Sequence, residues 1–131
     1  MKVIDFLRDS KVFYAATVDG DTPHVRPIGF VMEYNGELAF YSDTRKKFYK
    51  QMKANPKIEI CAIDAKMNTL RIEGKVKFIT DEASQKAAIE AFPPLGKMGY
   101  KAGAEEFQIY VLENPEARLT TMIGKPLDIE F

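Results

Sequence analysis

"FYSDTRKKFYKQMKANPKIEI", residues 40–60, runs from strand to helix and back to strand. Phe40, Tyr41 and Ser42 continue a run of β-formers. Asp43 and Thr44 break it. Residues 45–54 then read as a helix with Phe48, Met52 and Tyr49 on its apolar side, and Asn55-Pro56 stops it. Residues 57–63, KIEICAI, alternate as a strand. The cations Arg45, Lys46 and Lys47 stand at the helix start, whereas the helix macrodipole favours positive charge at the other end. A helix start also leaves backbone N–H groups without partners, which suits a phosphate. Two readings follow: a solvated basic surface, or an anion site to which Ser42 and Thr44 add hydroxyls.

Upstream, residues 2–9 form a short amphipathic helix with Val3, Ile4 and Leu7 on one side. Residues 11–19 read as a strand, and Asp19-Gly20-Asp21 as a turn. Residues 23–34 read as one further strand. Pro27 cannot donate to a ladder, so an edge or a bulge is expected there. Asn35-Gly36 is the strongest hairpin signal, with residues 37–42 as the returning strand. Downstream, "TLRIEGKVKFI", residues 69–79, alternates cleanly except at Gly74, which marks a bulge or barrel corner. Thr80-Asp81-Glu82 opens a helix over residues 82–91, and residues 93–103, rich in proline and glycine, read as a loop. Residues 106–112 and 117–122 read as two closing strands. Many strands with short connections and few helices predict a mainly β, antiparallel small barrel, since parallel crossovers need longer links.

The 131 residues suit one domain over 1–131. Lys plus Arg is 19 and Asp plus Glu is 19, so no net charge draws the chain to nucleic acid or an anionic membrane. Cys61 is the only cysteine, which excludes an internal disulfide and a thiolate zinc site and agrees with a reducing cytosol. The first residues, MKVIDFLRDS, do not read as a signal peptide, and no stretch approaches the ~18 to 20 apolar residues of a membrane span. A cytoplasmic location is expected. His24 is the only histidine, and no nucleophile elbow, Walker A motif, G-x-G-x-x-G or metal-ligand cluster is present. An enzyme with so few reactive groups would draw its chemistry from a cofactor.

Three stretches complete a pattern: "PHVRPIGF" (23–30), the 40–60 segment and "TLRIEGKVKFI" (69–79). Their order resembles the pyridoxamine 5'-phosphate oxidase-like family of FMN-binding split barrels, including short members labelled nitroimidazole-resistance or general-stress proteins. The resemblance covers nearly the whole chain, and K-x-x-Y-K-Q-M-K-x-N-P is its most specific part. It implies an antiparallel, Greek-key-like split β-barrel with FMN as cofactor. Arg26 matches the arginine that reaches the FMN phosphate. Pro27, Ile28 and Gly29 match the backbone beside the flavin ring, and Phe40, Tyr41 and Ser42 the next strand along it. Asp43 and Thr44 match the phosphate-side turn, and Lys47, with Lys46 second, the phosphate-binding cation. The family shares each flavin between two subunits of a homodimer. The partner's contacts match Asn68, Thr69, Leu70 and Arg71, although many short members carry Trp where this chain has Leu70. The loop around Pro94, Leu95, Met98 and Tyr100 resembles one that borders the flavin.

The implied function is flavin-dependent oxidoreduction of a small molecule. True pyridoxamine phosphate oxidase activity is not expected, because the only basic residue after Arg118 is Lys125. The alternative is a non-catalytic flavin-binding, sensor or stress-related module. An OB-like nucleic-acid binder would need a basic groove that this charge balance does not suggest. In an isolated barrel Phe107 and Ile109 are expected to lie exposed, and a symmetric dimer to cover them.

Overall fold

The structure, a computed structural model, describes residues 1–131. Helix α1 (Val3–Ser10) buries Val3, Ile4, Phe6 and Leu7. Strands β1 (Phe13–Asp19), β2 (Thr22–Ile28), β3 (Met32–Tyr34) and β4 (Glu37–Asp43) follow, then α2 (Lys47–Ala54), β5 (Lys57–Ile63) and β6 (Thr69–Phe78). Helices α3 (Glu82–Ala91) and α4 (Pro94–Lys97) precede β7 (Phe107–Thr120) and β8 (Pro126–Leu127). All strand pairs are antiparallel, in the order β2-β1-β5-β6-β7-β4-β3, with β8 on β7.

Local chemistry accounts for the turns. Asn35 (φ 51°) and Gly36 (φ 79°) both take positive φ between the paired Tyr34 and Glu37, as a two-residue hairpin of the primed type demands. At Gly74 the β6–β7 ladder slips: Glu73 faces Glu116 and Lys75 faces Glu113, so Asn114 and Pro115 together oppose Gly74. The extra residue of this bulge sits on β7, with Asn114 at φ 48°.

Three expectations about the elements change. The run 23–34 is two strands, because Gly29, Phe30 and Val31 leave β2 and carry the chain across to β3; the apolar run continues through the crossing and hides it. The two closing strands are one, since Pro115 falls in the bulge, where a missing N–H costs no ladder bond. The loop 93–103 contains α4, one turn that buries Leu95.

The path never closes on itself. β2 lies at one end and β3 at the other, although they are consecutive in the chain. The crossing at residues 29–31 bridges this seam without a strand ladder. Pro27 is thereby on an edge strand, where its lack of a donor is tolerated. One core fills the barrel, with Phe13, Phe40, Ile60, Leu70, Ile72 and Tyr110 buried against α1 and Met52. A second lies on the other face of β4 and β7, where Phe107, Ile109 and Val111 pack with Ala88 and Leu95. Phe107 and Ile109 are therefore fully buried under α3 and α4 in the single chain, contrary to the expectation of exposure. The exposed large apolar residues of the sheet are instead Tyr14, Val18 and Val25 on β1 and β2, Ile63 at the end of β5 and Leu127 on β8. No helix is long and apolar enough to cross a membrane.

Candidate functional site

A cleft of about 560 Å³ opens along the seam. One wall is β2 and the crossing after it, from His24 to Phe30; the other is Phe40 to Asp43 of β4. Both walls are open edges. β2 pairs only with β1, and β3 stops at the Met32–Ala39 pair, short of Phe40. Backbone N–H and C=O groups on these edges are free to meet a ligand. Gly29 belongs here for its size: a Cβ on it would come 3.3 Å from the Lys11 carbonyl oxygen.

The N-terminus of α2 closes one end of the cleft, with Lys46, Lys47, Phe48 and Gln51 in the lining. Lys46 is the N-cap, without a side-chain capping bond, and no acid lies in the first turn. The backbone amides of Lys47, Phe48 and Tyr49 make no hydrogen bond. Two lysines thus add charge to an already positive helix end, an arrangement that an anion would relieve.

The third cation of the run is occupied. Asp43 is buried, and its Oδ1 accepts from the Arg45 backbone N–H (2.9 Å) and Nε (3.0 Å). Its Oδ2 accepts from an Arg45 guanidinium N–H and from the Tyr100 hydroxyl, both at 2.7 Å. The Arg45 hydrogen bonds, foremost, hold the Asp43 carboxyl well below the usual carboxylate range. Burial, with the bond to Asp43, pushes Tyr100 up to about 12. This chelate clasps the segment after α4 to the end of β4.

Arg26 projects from β2 across β1 towards α2. Its guanidinium donates to Thr17 Oγ1 (2.8 Å), the Ala15 carbonyl (3.3 Å) and Gln51 Oε1 (2.6 Å). Thr17 donates to the same Gln51 oxygen at 2.6 Å. The guanidinium carbon lies 4.3 Å from the centroid of the Phe48 ring, a cation–π contact. Burial lowers the Arg26 pKa. Beneath the cleft, Phe40 stacks on Tyr110 with centroids 5.3 Å apart. The Tyr110 hydroxyl is buried without a partner, and burial pushes its pKa up.

Residues 2–120 match the family described as pyridoxamine 5'-phosphate oxidase. The chain belongs to this family. Among solved structures it is similar to a NimC/NimA family protein from Clostridium acetobutylicum, at 35% identity and a TM-score of 0.89, covering 95% of this chain and 86% of that one. A pyridoxamine 5'-phosphate oxidase-related, FMN-binding protein from Nostoc punctiforme shares the fold at 18% identity and TM-score 0.69, over 94% and 82% of the two chains. HutZ, the heme storage protein from Vibrio cholerae, does so at 15% identity and TM-score 0.69, over 91% of each. No curated protein matches the chain.

The site residues implied by the resemblance to the pyridoxamine 5'-phosphate oxidase-like family divide in two. Arg26, Pro27, Ile28, Gly29, Phe40, Tyr41, Ser42, Asp43, Lys46 and Lys47 all line the one cleft. Thr44 does not; its N–H donates to the Glu106 carbonyl at 3.1 Å. Asn68, Thr69, Leu70 and Arg71 also lie outside the lining. The Asn68 side chain is bonded to Asp64 at 2.9 Å, Leu70 is buried in the barrel, and Arg71 pairs with Glu59 at 3.1 Å. The resemblance assigns these four to a partner's site, and within one chain they are engaged locally. Leu70 has no exposed side chain to offer a partner.

Sequence reasoning did not place Gln51 or Thr17 in the site. Gln51 stands one helical turn after Lys47 and so on the same face, which was the available signal. Nothing local marks Thr17, which reaches Arg26 only through strand pairing.

Proposed function

We propose that the cleft holds FMN and that the protein is a flavin-dependent oxidoreductase acting on a small molecule. The observation that carries this reading is the α2 N-terminus: two unpaired lysines, Lys46 and Lys47, and the unpartnered amides of Lys47 and Phe48 border the cleft, with no acid in the first turn. A phosphate dianion satisfies them together. The cleft volume falls within the ~300 to 1,000 Å³ of ordinary small-molecule sites. Its aromatic residues and two open strand edges fit a flat ring with a polar rim. Lys46, Lys47 and the α2 amides would hold the phosphate, and Arg26 would complete the cationic wall. The free edges of β2 and β4 would meet the ring's polar atoms, while Phe40 would floor the slot from the barrel core and Tyr41 would line it from the other face of β4. FMN supplies hydride or electron transfer when bound; the chain supplies position and a dry slot.

The reading includes a homodimer in the cytoplasm, with Asn68, Thr69 and Arg71 of one copy completing the other's cleft. It excludes true pyridoxamine phosphate oxidase activity. The non-catalytic alternative differs in one readout, turnover with a reductant, because a fold does not by itself imply catalysis. The deciding experiment measures flavin content after purification and compares Kd for FMN and riboflavin. FMN preferred by tenfold or more, about 1.4 kcal/mol, is the expected result. Equal affinity for the two removes the phosphate site and the reading with it.

A further inference from the structure

A second hollow, of about 630 Å³, shares a wall with the cleft: Gly29, Phe30 and Tyr41 border both. Its other sides bring together Arg8 and Lys11, from the end of α1, with Phe92 and Met98. Two features there serve no evident purpose in the fold. Phe92 is 44% and Met98 58% exposed, although each is large and apolar. Arg8 and Lys11 also take no part in the protein's three ion pairs. No carboxylate lines the hollow. The helix dipole accounts for cations at the end of α1. It does not account for their lying beside exposed aromatic surface. The small Gly29 lets the Lys11 backbone come this close to the seam.

We propose that this hollow is the substrate subsite and takes a small planar aromatic carboxylate. The substrate role rests on FMN occupying the adjoining cleft; binding of the anion does not. Phe30 and Phe92 already meet edge to face, with centroids 6.3 Å apart, and Tyr41 meets Phe30 at 5.6 Å. A ligand ring extends this aromatic set. Its carboxylate answers Arg8, whose planar fork matches two oxygens, and Lys11 adds a point charge. A phosphate fits less well, because both cations are exposed and no helix start faces this hollow to repay a dianion's lost hydration. A neutral ring would leave the cations unanswered. Only one basic residue follows Arg118, which is the ground against pyridoxamine phosphate oxidase activity; the fold places Arg8 of α1 and Lys11 just after it at this hollow.

Benzoate is the probe and benzamide its uncharged counterpart. Calorimetry is run on the chain with and without FMN, and flavin absorbance is followed in the FMN-loaded protein. Benzoate is expected to bind at least fivefold more tightly than benzamide and to perturb the flavin spectrum. In the R8Q/K11Q double variant the preference should vanish with benzamide unchanged, and Phe92→Ala should weaken both ligands severalfold. Both cations are exposed, so the double variant folds normally, checked by circular dichroism. The proposal is overturned if benzoate shows no binding at about 10 mM, if its preference survives the double variant, or if Phe92→Ala leaves both ligands unaffected. If benzoate binds as described but FMN does not bind at all, the flavin reading and the substrate role fail while the anion site stands.

Discussion

Replacing Gln51 by Leu tests whether Arg26 is held in place for a phosphate. The Gln51 side-chain oxygen accepts from both Arg26 and Thr17, each at 2.6 Å, in a nearly buried position. Leu keeps much of the volume and removes the acceptor. One lost bond is to a charged donor, worth about 1.5 to 3 kcal/mol, and the other is neutral, worth about 1 kcal/mol. Thr17 Oγ1 and the Ala15 carbonyl still accept from Arg26, so part of the network survives. A loss of about 2 to 3 kcal/mol is expected, which lowers Tm by roughly 6 to 15 °C for a domain of this size. The functional readout is the ratio of riboflavin to FMN Kd, which general destabilisation moves little. The substitution removes one of the guanidinium's three anchors, and the ratio should fall severalfold. Gln51→Glu separates position from charge: a carboxylate holds Arg26 more firmly but offsets its charge, so stability persists while FMN preference falls. Wild-type Tm and an unchanged ratio in Gln51→Leu would refute the idea that this glutamine organises the site.

Lys47→Ala should weaken FMN by roughly ten- to a hundredfold, as expected for one charge-assisted bond; wild-type affinity in both this variant and Lys46→Ala would remove the phosphate from the α2 start. Sedimentation at micromolar concentration should show a dimer that loosens when FMN is removed, and a monomer that retains FMN would exclude a shared site. FMN-loaded protein mixed with pyridoxamine phosphate under air should form no pyridoxal phosphate at ordinary enzyme rates, on the order of 1 per second. Asp43 has a folded pKa depressed below its unfolded value near 4, so its contribution is complete above that value and drains away as pH falls below it. Thermal unfolding from pH 7 down to pH 3 should show a smaller acid-side loss in Asp43→Asn than in wild type; equal slopes would mean that the Arg45–Asp43–Tyr100 chelate adds nothing.

Local signals carried far in this sequence. Asn35-Gly36 specified its own turn through backbone sterics, and Asn55-Pro56 ended α2 where the capping rules place the stop. Of the residues named from sequence, those that line the cleft lie in three short runs, 26–29, 40–43 and 46–47, each next to a break that sequence shows; Thr44 and residues 68–71, named with them, lie outside it. What escaped depends on partners far along the chain. Gln51 and Thr17 matter because β1 and α2 meet around Arg26, and neither neighbourhood records that meeting. Residues 106–112 and 117–122 read as two strands because sequence does not reveal that a bulge would receive Pro115 between them. Phe107 and Ile109 looked available to a partner because α3 covers them only once the second core has formed.

The seam also fixes when the site can exist during synthesis. Its far wall, Phe40 to Asp43, is held in the sheet by Tyr110 through Phe107 of β7, more than sixty residues later. β3 supports only the other end of β4. Strand pairings over such separations form late, because a long loop must close before any contact repays it. A ribosome that has released β1 to β6 has therefore delivered every cation of the proposed phosphate cradle, yet the groove still has one standing wall. The pocket becomes a pocket only when nearly the last strand leaves the exit tunnel. Capture of the proposed cofactor is then a property of the finished chain, and a truncation before residue 107 should leave a polypeptide that keeps the cation run and cannot hold FMN.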